Sequence, residues 1–215
     1  MNQHTPDTVV LLHGIFLNAS SMFGMARFLR KQGYRVINLT YPSTRMTLEA
    51  LAEDLHGRLA PQLPPQGRIH FVGHSMGGLL IRAYLAKHAP ANLGRIVMLG
   101  TPNQGSEVAD RIKDWKLYRR FYGPAGQQLL TTAPLTYPAL PVGIIGMIAG
   151  TRSYDFIFGR FLPRPHDGKV SVASTRLDGM ADHITLPVSH TYMPWSGKVQ
   201  AQVKAFLAMG SFSRP

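Results

Sequence analysis

The sequence predicts an α/β fold, a mostly parallel sheet with helices on both faces. Three observations carry that reading. Short apolar runs alternate with segments whose apolar residues recur at helical spacing. The runs are continuous rather than alternating, as in TVVLL at 8–12, which suits strands covered on both sides. At 69–88 an apolar run passes at once into a helical pattern through Gly73-His74-Ser75-Met76-Gly77, a serine caged by glycines.

The elements follow in order. TVVLL is the first strand, and HGIFLNASS is a loop. Residues 21–31 place Met22, Met25, Ala26 and Leu29 at helical spacing, and Gly33 stops that helix, as glycine does just past a C-terminus. RVINL at 35–39 is the second strand. Residues 47–59 form a helix carrying Leu48, Leu51, Ala52, Leu55 and Leu59, broken by Pro61, Pro64 and Pro65. The third strand is 69–72, and its helix runs from about 77 to 88 before Pro90. The fourth strand is 95–99. Residues 100–140 are rich in Gly, Pro and Thr with helical pieces, and read as a lid or cap over the carboxyl edge of the sheet. The fifth strand is 142–148, and Val170–Val172 reads as a short last strand. A helix at 198–209 puts Val199, Val203, Phe206 and Leu207 on one side.

Composition narrows the chemistry. The 215 residues fit one domain, 1–215, with no internal repeat or low-complexity tract. There is no cysteine, which excludes disulfides, thiolate catalysis and cysteine-bound zinc. No H-E-x-x-H or EF-hand loop occurs, and no metal or cofactor is expected. The N-terminus MNQHTPD has no basic region followed by an apolar run. PVGIIGMIAG at 141–150 is about half the length of a membrane span. The expectation is a cytoplasmic, soluble chain. The formal charge is +12, from 23 basic and 11 acidic residues. The densest basic stretch is Arg111, Lys113, Lys116, Arg119 and Arg120, interleaved with Trp115, Tyr118, Phe121 and Tyr122. It carries no nucleic-acid motif, so no nucleic-acid partner is expected. It reads as solvated surface, with transient contact to an anionic membrane surface as the alternative.

The caged serine has a physical explanation. A strand that turns directly into a helix lifts the residue at the turn above the sheet edge on a strained backbone. The chain approaches itself closely two residues before and after, where a Cβ would clash. This is the G-x-S-x-G nucleophile elbow, and it aims the positive end of the next helix at the serine. His74 reads as packing beside the turn. His13 reads as a loop brace rather than a catalytic group.

LLHGIF, GHSMGG, LGTPNQGS, DGKVSV and PVSHTYM together resemble the α/β-hydrolase superfamily, and most closely its small bacterial lipase and esterase branch. The resemblance covers about residues 8–208. It implies a Ser-acid-His order along the chain, which leaves His166, His183 and His190 as base candidates. His190 is preferred because it precedes the last helix. Asp155, Asp167, Asp178 and Asp182 compete for the acid. Asp167 is preferred for its likeness to the Asp-Gly-x-Val motif, and Asp155 is its rival. The resemblance places the oxyanion hole at the N–H groups of Met76 and Ile15, with Phe16 the alternative to Ile15. Some larger lipases of the superfamily hold calcium near the catalytic histidine loop; Asp178 and Asp182 are the residues that could do so here, but the sequence shows no such site. The segment 101–106 is expected to shape a pocket wall. Phe16, Leu17, Met22, Met25 and the apolar 129–148 region are expected to line an acyl pocket. The implied activity is a serine carboxylesterase or lipase acting on a small-molecule or lipid ester. Thioesterase, amidase or acyltransferase chemistry on the same residues is the alternative, as is a non-catalytic basic binding protein on a hydrolase scaffold.

Overall fold

The computed structural model describes residues 5–112, 116–132, 135–138, 140–155 and 159–214. Six strands form one sheet: β1 (Thr8–Leu12), β2 (Arg35–Leu39), β3 (Ile69–His74), β4 (Leu93–Leu99), β5 (Ile145–Gly150) and β6 (Asp182–Leu186). They lie in the order β2-β1-β3-β4-β5-β6, and every pairing is parallel. All carboxyl ends therefore meet at one edge of the sheet.

The period of two along each strand feeds two cores. Val10 and Leu12 of β1 face α2 (Leu48–Leu59) and α3 (Met76–His88), while Val9 and Leu11 face α1 (Phe23–Lys31) and α6 (Gly197–Met209). β4 repeats the pattern, with Ile96 and Met98 on the first face and Val97 and Leu99 on the second. The helix ends follow local chemistry. The Thr47 hydroxyl accepts from the Ala50 N–H at 3.3 Å and caps α2. Past α1, Gly33 adopts φ 90, and the Gly33 and Tyr34 N–H groups close onto the Arg30 and Leu29 carbonyls at 3.1 and 3.2 Å.

The expected last strand is corrected. Val170–Val172 forms no sheet strand; Ser171 makes only an isolated antiparallel bridge to His166. The sixth strand is β6, whose DHITL is only partly buried and so lacks the apolar run that marks the other strands. The fifth strand begins at Ile145 rather than 142 and continues to Gly150.

The 100–140 segment contributes α4 (Glu107–Ile112) and α5 (Lys116–Gln127) above the carboxyl edge. Gly123 interrupts α5 at φ 62, ψ −169, where a Cβ would lie 1.6 Å from the Thr44 carbonyl oxygen. Further on, the Tyr137 hydroxyl donates to Glu49 at 2.7 Å, and Arg82 of α3 donates to the Leu135 carbonyl at 3.3 Å. These bonds tie the segment to the helices beneath it. Of the basic stretch, Lys113 and Trp115 lie outside the described residues, as do the side chains up to residue 121. Among the described residues no helix is long and apolar enough to cross a membrane.

Candidate active site

Ser75 leaves β3 with φ 55, ψ −125, a backbone state that side chains other than glycine rarely adopt. Its N–H donates to the Leu99 carbonyl at 2.8 Å, and its carbonyl accepts from the Gly78 N–H and the Thr101 hydroxyl, both at 3.0 Å. These bonds hold the turn against the end of β4. The glycines are needed for space. A Cβ at Gly73 would sit 2.6 Å from the Gly78 nitrogen. One at Gly77 would sit 2.3 Å from the Leu12 carbonyl oxygen, and one at Gly78 would sit 2.1 Å from the Thr101 hydroxyl.

His190 follows β6 and Asp167 follows β5. The His190 Nδ1–H donates to Asp167 Oδ2 at 2.8 Å, and the His190 backbone N–H donates to the Asp167 carbonyl at 3.1 Å. The other carboxylate oxygen, Oδ1, accepts the backbone N–H groups of Lys169 and Val170 at 2.9 and 2.8 Å. Gly168 makes that turn possible at φ 103. Burial pushes the Asp167 carboxyl up, but the neighbouring His190 charge, its hydrogen bond and the two backbone donors outweigh it. The carboxyl is held below its ordinary range. The rival Asp155 faces Lys169, 3.9 Å from its Nζ, and makes no ion pair with His190.

Ser75 and His190 line one cavity of about 260 Å³. No hydrogen bond joins their side chains directly. Of the two oxyanion-donor candidates in the first loop, the Phe16 N–H is engaged by the Ser43 hydroxyl at 3.1 Å. Among the described residues, no acceptor meets the Ile15 or the Met76 N–H group. Phe16 itself sits at φ 62, and its ring meets that of Tyr122 edge-on at 4.6 Å, so α5 roofs the cavity mouth.

The remaining histidines separate by their contacts. The His13 Nδ1–H donates to the Gly14 carbonyl at 2.8 Å, its Nε2 accepts the Tyr41 N–H at 3.3 Å, and its ring stacks on Tyr41 at 4.0 Å. The His74 Nε2–H donates to the His190 carbonyl at 3.0 Å. Complete burial, with the nearby His190 charge, lowers the His74 pKa to about 3, so it is neutral and committed as a donor. His166 accepts the Gly168 N–H at 3.1 Å and braces the acid loop. His183 lies on β6 against the Thr175 hydroxyl at 2.9 Å. The Asp182 carboxylate is filled by the Phe212 N–H, the His183 N–H and the Arg214 guanidinium, which dock the C-terminal tail. Among the described residues no cluster of His, Asp and Glu could hold a metal ion.

The expected pocket lining needs correction. Met22 and Met25 are fully buried in the core beneath α1 and do not reach the cavity. Of the described residues of 129–148, only Leu129 lines it, joined by Phe16, Leu17, Val108, Ala109 and Val170. The 101–106 segment contributes Pro102 and Ser106 to the wall. Two further residues matter that carry no reactive group. A Cβ at Gly100 would lie 3.0 Å from Asp167 Oδ2 and 3.1 Å from His190 Nδ1. One at Gly150 would lie 2.4 Å from the Val188 carbonyl oxygen and 2.7 Å from the Asp167 Cβ. Glycine at the ends of β4 and β5 leaves the room in which the Asp167–His190 pair stands. The only sequence signal was a glycine directly after each apolar run.

A six-stranded parallel sheet, a strained serine between strand and helix, and an aspartate–histidine pair over the same edge define a hydrolase-type architecture. The chain belongs to the α/β hydrolase fold family, whose model matches residues 7–137. It is 31% identical over 116 residues to a triacylglycerol lipase of Pseudarthrobacter phenanthrenivorans, covering 49% of this chain and 36% of that one. It is 27% identical over 143 residues to the human lysosomal thioesterase PPT2, covering 56% of this chain and 44% of that one. The chain thus spans less than half the length of these curated relatives. Among solved structures, the mature Bacillus licheniformis lipase BlEst2 superposes with a TM-score of 0.75 at 21% identity, covering 97% of this chain and 93% of that one.

Proposed function

We propose that the protein is a serine ester hydrolase, a carboxylesterase or lipase, that works through an acyl-enzyme. Ser75 Oγ attacks the ester carbonyl while His190 Nε2 takes its proton, and Asp167 holds the imidazole with Nδ1 protonated. The tetrahedral oxyanion is received by the Ile15 and Met76 N–H groups at the positive end of α3. His190 returns the proton to the leaving alcohol, and water then releases the acyl group. The acyl chain occupies the cavity walled by Leu17, Val108, Ala109, Leu129 and Val170.

The observation that carries this reading is the 2.8 Å bond from His190 Nδ1 to Asp167. It leaves the other imidazole nitrogen as acceptor beside the cavity that Ser75 also lines. A fluorophosphonate probe followed by peptide mass spectrometry tests it. Labelling at Ser75, with turnover of p-nitrophenyl esters, is expected; a folded protein that labels elsewhere or turns over no ester refutes it. A thioester substrate is the second reading, favoured by the thioesterase among the relatives. The matched oxygen and sulfur esters of one acyl chain separate the two by their kcat/KM values.

A further inference from the structure

A shallow groove adjoins the cavity on the His190 side, sharing lining residues with it. Lys169, His190 and Thr191 line both the cavity and the first part of the groove, of about 430 Å³. Tyr154, Ser189 and Tyr192 join this part to a second, of about 570 Å³, which reaches Arg152 and Trp195. The mechanism above uses none of these residues except His190.

Two features of the groove speak to its occupant. Its aromatic side chains stand out of the protein, with Tyr154 at 65%, Tyr192 at 64% and Trp195 at 52% exposure. Aromatic faces along a concave surface suit a flat ligand. Its charges are unevenly matched. Asp167 is held by His190, and Asp155 lies 3.9 Å from the Lys169 ammonium. Among the described residues no carboxylate lies within salt-bridge distance of the Arg152 guanidinium. An arginine fork without a carboxylate partner is suited to pairing with a ligand carboxylate or phosphate.

The chemistry fixes which half of the substrate meets this groove. The leaving oxygen must take its proton from His190, so the alcohol half departs on the His190 side, while the acyl half lies in the apolar cavity. We propose that the groove is the leaving-group subsite, and that it selects esters of flat alcohols bearing an anionic group, which Arg152 holds. This inference rests on the ester-hydrolase reading.

The test compares 4-butanoyloxybenzoate with 4-butanoyloxybenzamide, equal in shape and different in charge, on the wild type and on Arg152→Gln. The ratio of the two kcat/KM values, compared between the proteins, cancels the difference in intrinsic reactivity. The ratio is expected to fall about fivefold in Arg152→Gln at low salt, and the wild-type ratio to shrink in high salt. Arg152→Lys should retain part of it. Running 4-butanoyloxyphenyl phosphate alongside identifies the preferred anion, carboxylate or phosphate, by the larger loss. An unchanged ratio in Arg152→Gln overturns the inference and leaves the esterase reading intact. If the folded wild type turns over no ester, the esterase reading fails by itself. Calorimetric binding of 4-hydroxybenzoate then decides the groove. Weaker binding to Arg152→Gln supports the subsite, and equal or absent binding overturns it.

Discussion

Asp167→Asn changes one oxygen to nitrogen, and the geometry dictates how the amide must turn. Oδ1 accepts two backbone N–H groups, from Lys169 and Val170, at 2.9 and 2.8 Å. An NH2 in that position would face two donors, so the amide oxygen stays there. The NH2 is then directed at His190 Nδ1, which now sits 2.8 Å from Oδ2. Two donors cannot share that bond, so the imidazole proton moves to Nε2. The nitrogen that accepts the Ser75 proton in the proposed mechanism is then occupied, and no carboxylate remains to balance an imidazolium. The equivalent change in a serine protease costs about 10⁴ in kcat. A loss of about 10² to 10⁴ is expected here, or about 2.7 to 5.5 kcal/mol of barrier. The assay is turnover of one soluble ester at neutral pH with melting curves alongside, and the ¹⁵N shifts of His190 report the tautomer directly. Asp155→Asn is the control and should cost little. If Asp155→Asn abolishes turnover while Asp167→Asn retains it, the acid has been assigned to the wrong loop.

Three other outcomes follow from the same geometry. Ser75→Gly should abolish ester turnover and, because φ 55 is strained for serine, raise stability by about 1 kcal/mol in urea denaturation; retained turnover would remove Ser75 from the mechanism. Gly77→Ala places a Cβ 2.3 Å from the Leu12 carbonyl oxygen, so a loss of about 2–4 kcal/mol with reduced activity is expected, and an unchanged melting curve would contradict the close approach. His74 has its pKa lowered to about 3. The unfolded chain therefore binds a proton that the folded chain refuses, and stability falls as pH drops below the ordinary histidine value towards 3. At pH 5 this costs about 2 kcal/mol relative to pH 7, so His74→Gln should show a shallower fall in urea midpoint between those pH values; equal slopes would mean that His74 titrates freely.

Local patterns carried much of the fold. β1 and β2 fall at their expected residues, and α2 and α6 begin within a residue of theirs, because burial repeats along a single segment at period two or 3.6. The elbow was equally legible, since its glycines crowd atoms of the same turn and of the first strand's end. β6 was not. Like β2 it lies at an edge of the sheet with partial cover, but DHITL carries only Ile184 and Leu186 as apolar residues where RVINL carries three, so it shows no apolar run.

What the chain decides alone is therefore each segment's own conformation and the apolar face it must bury. Tertiary structure decided the rest, because it depends on which distant groups meet. Met22 and Met25 have the right character for a pocket wall, yet α1 turns them into the core. Four aspartates follow the fifth strand, and only the docking of the 187–190 loop beside the 167–170 turn selects Asp167 as the partner of His190, 23 residues away. Gly100 and Gly150 look like ordinary strand-end glycines until that pair is seen to fill the space above them. Periodicity reports what a residue does to its neighbours in sequence. A hydrogen bond between two loops depends on the whole sheet that holds them apart or brings them together.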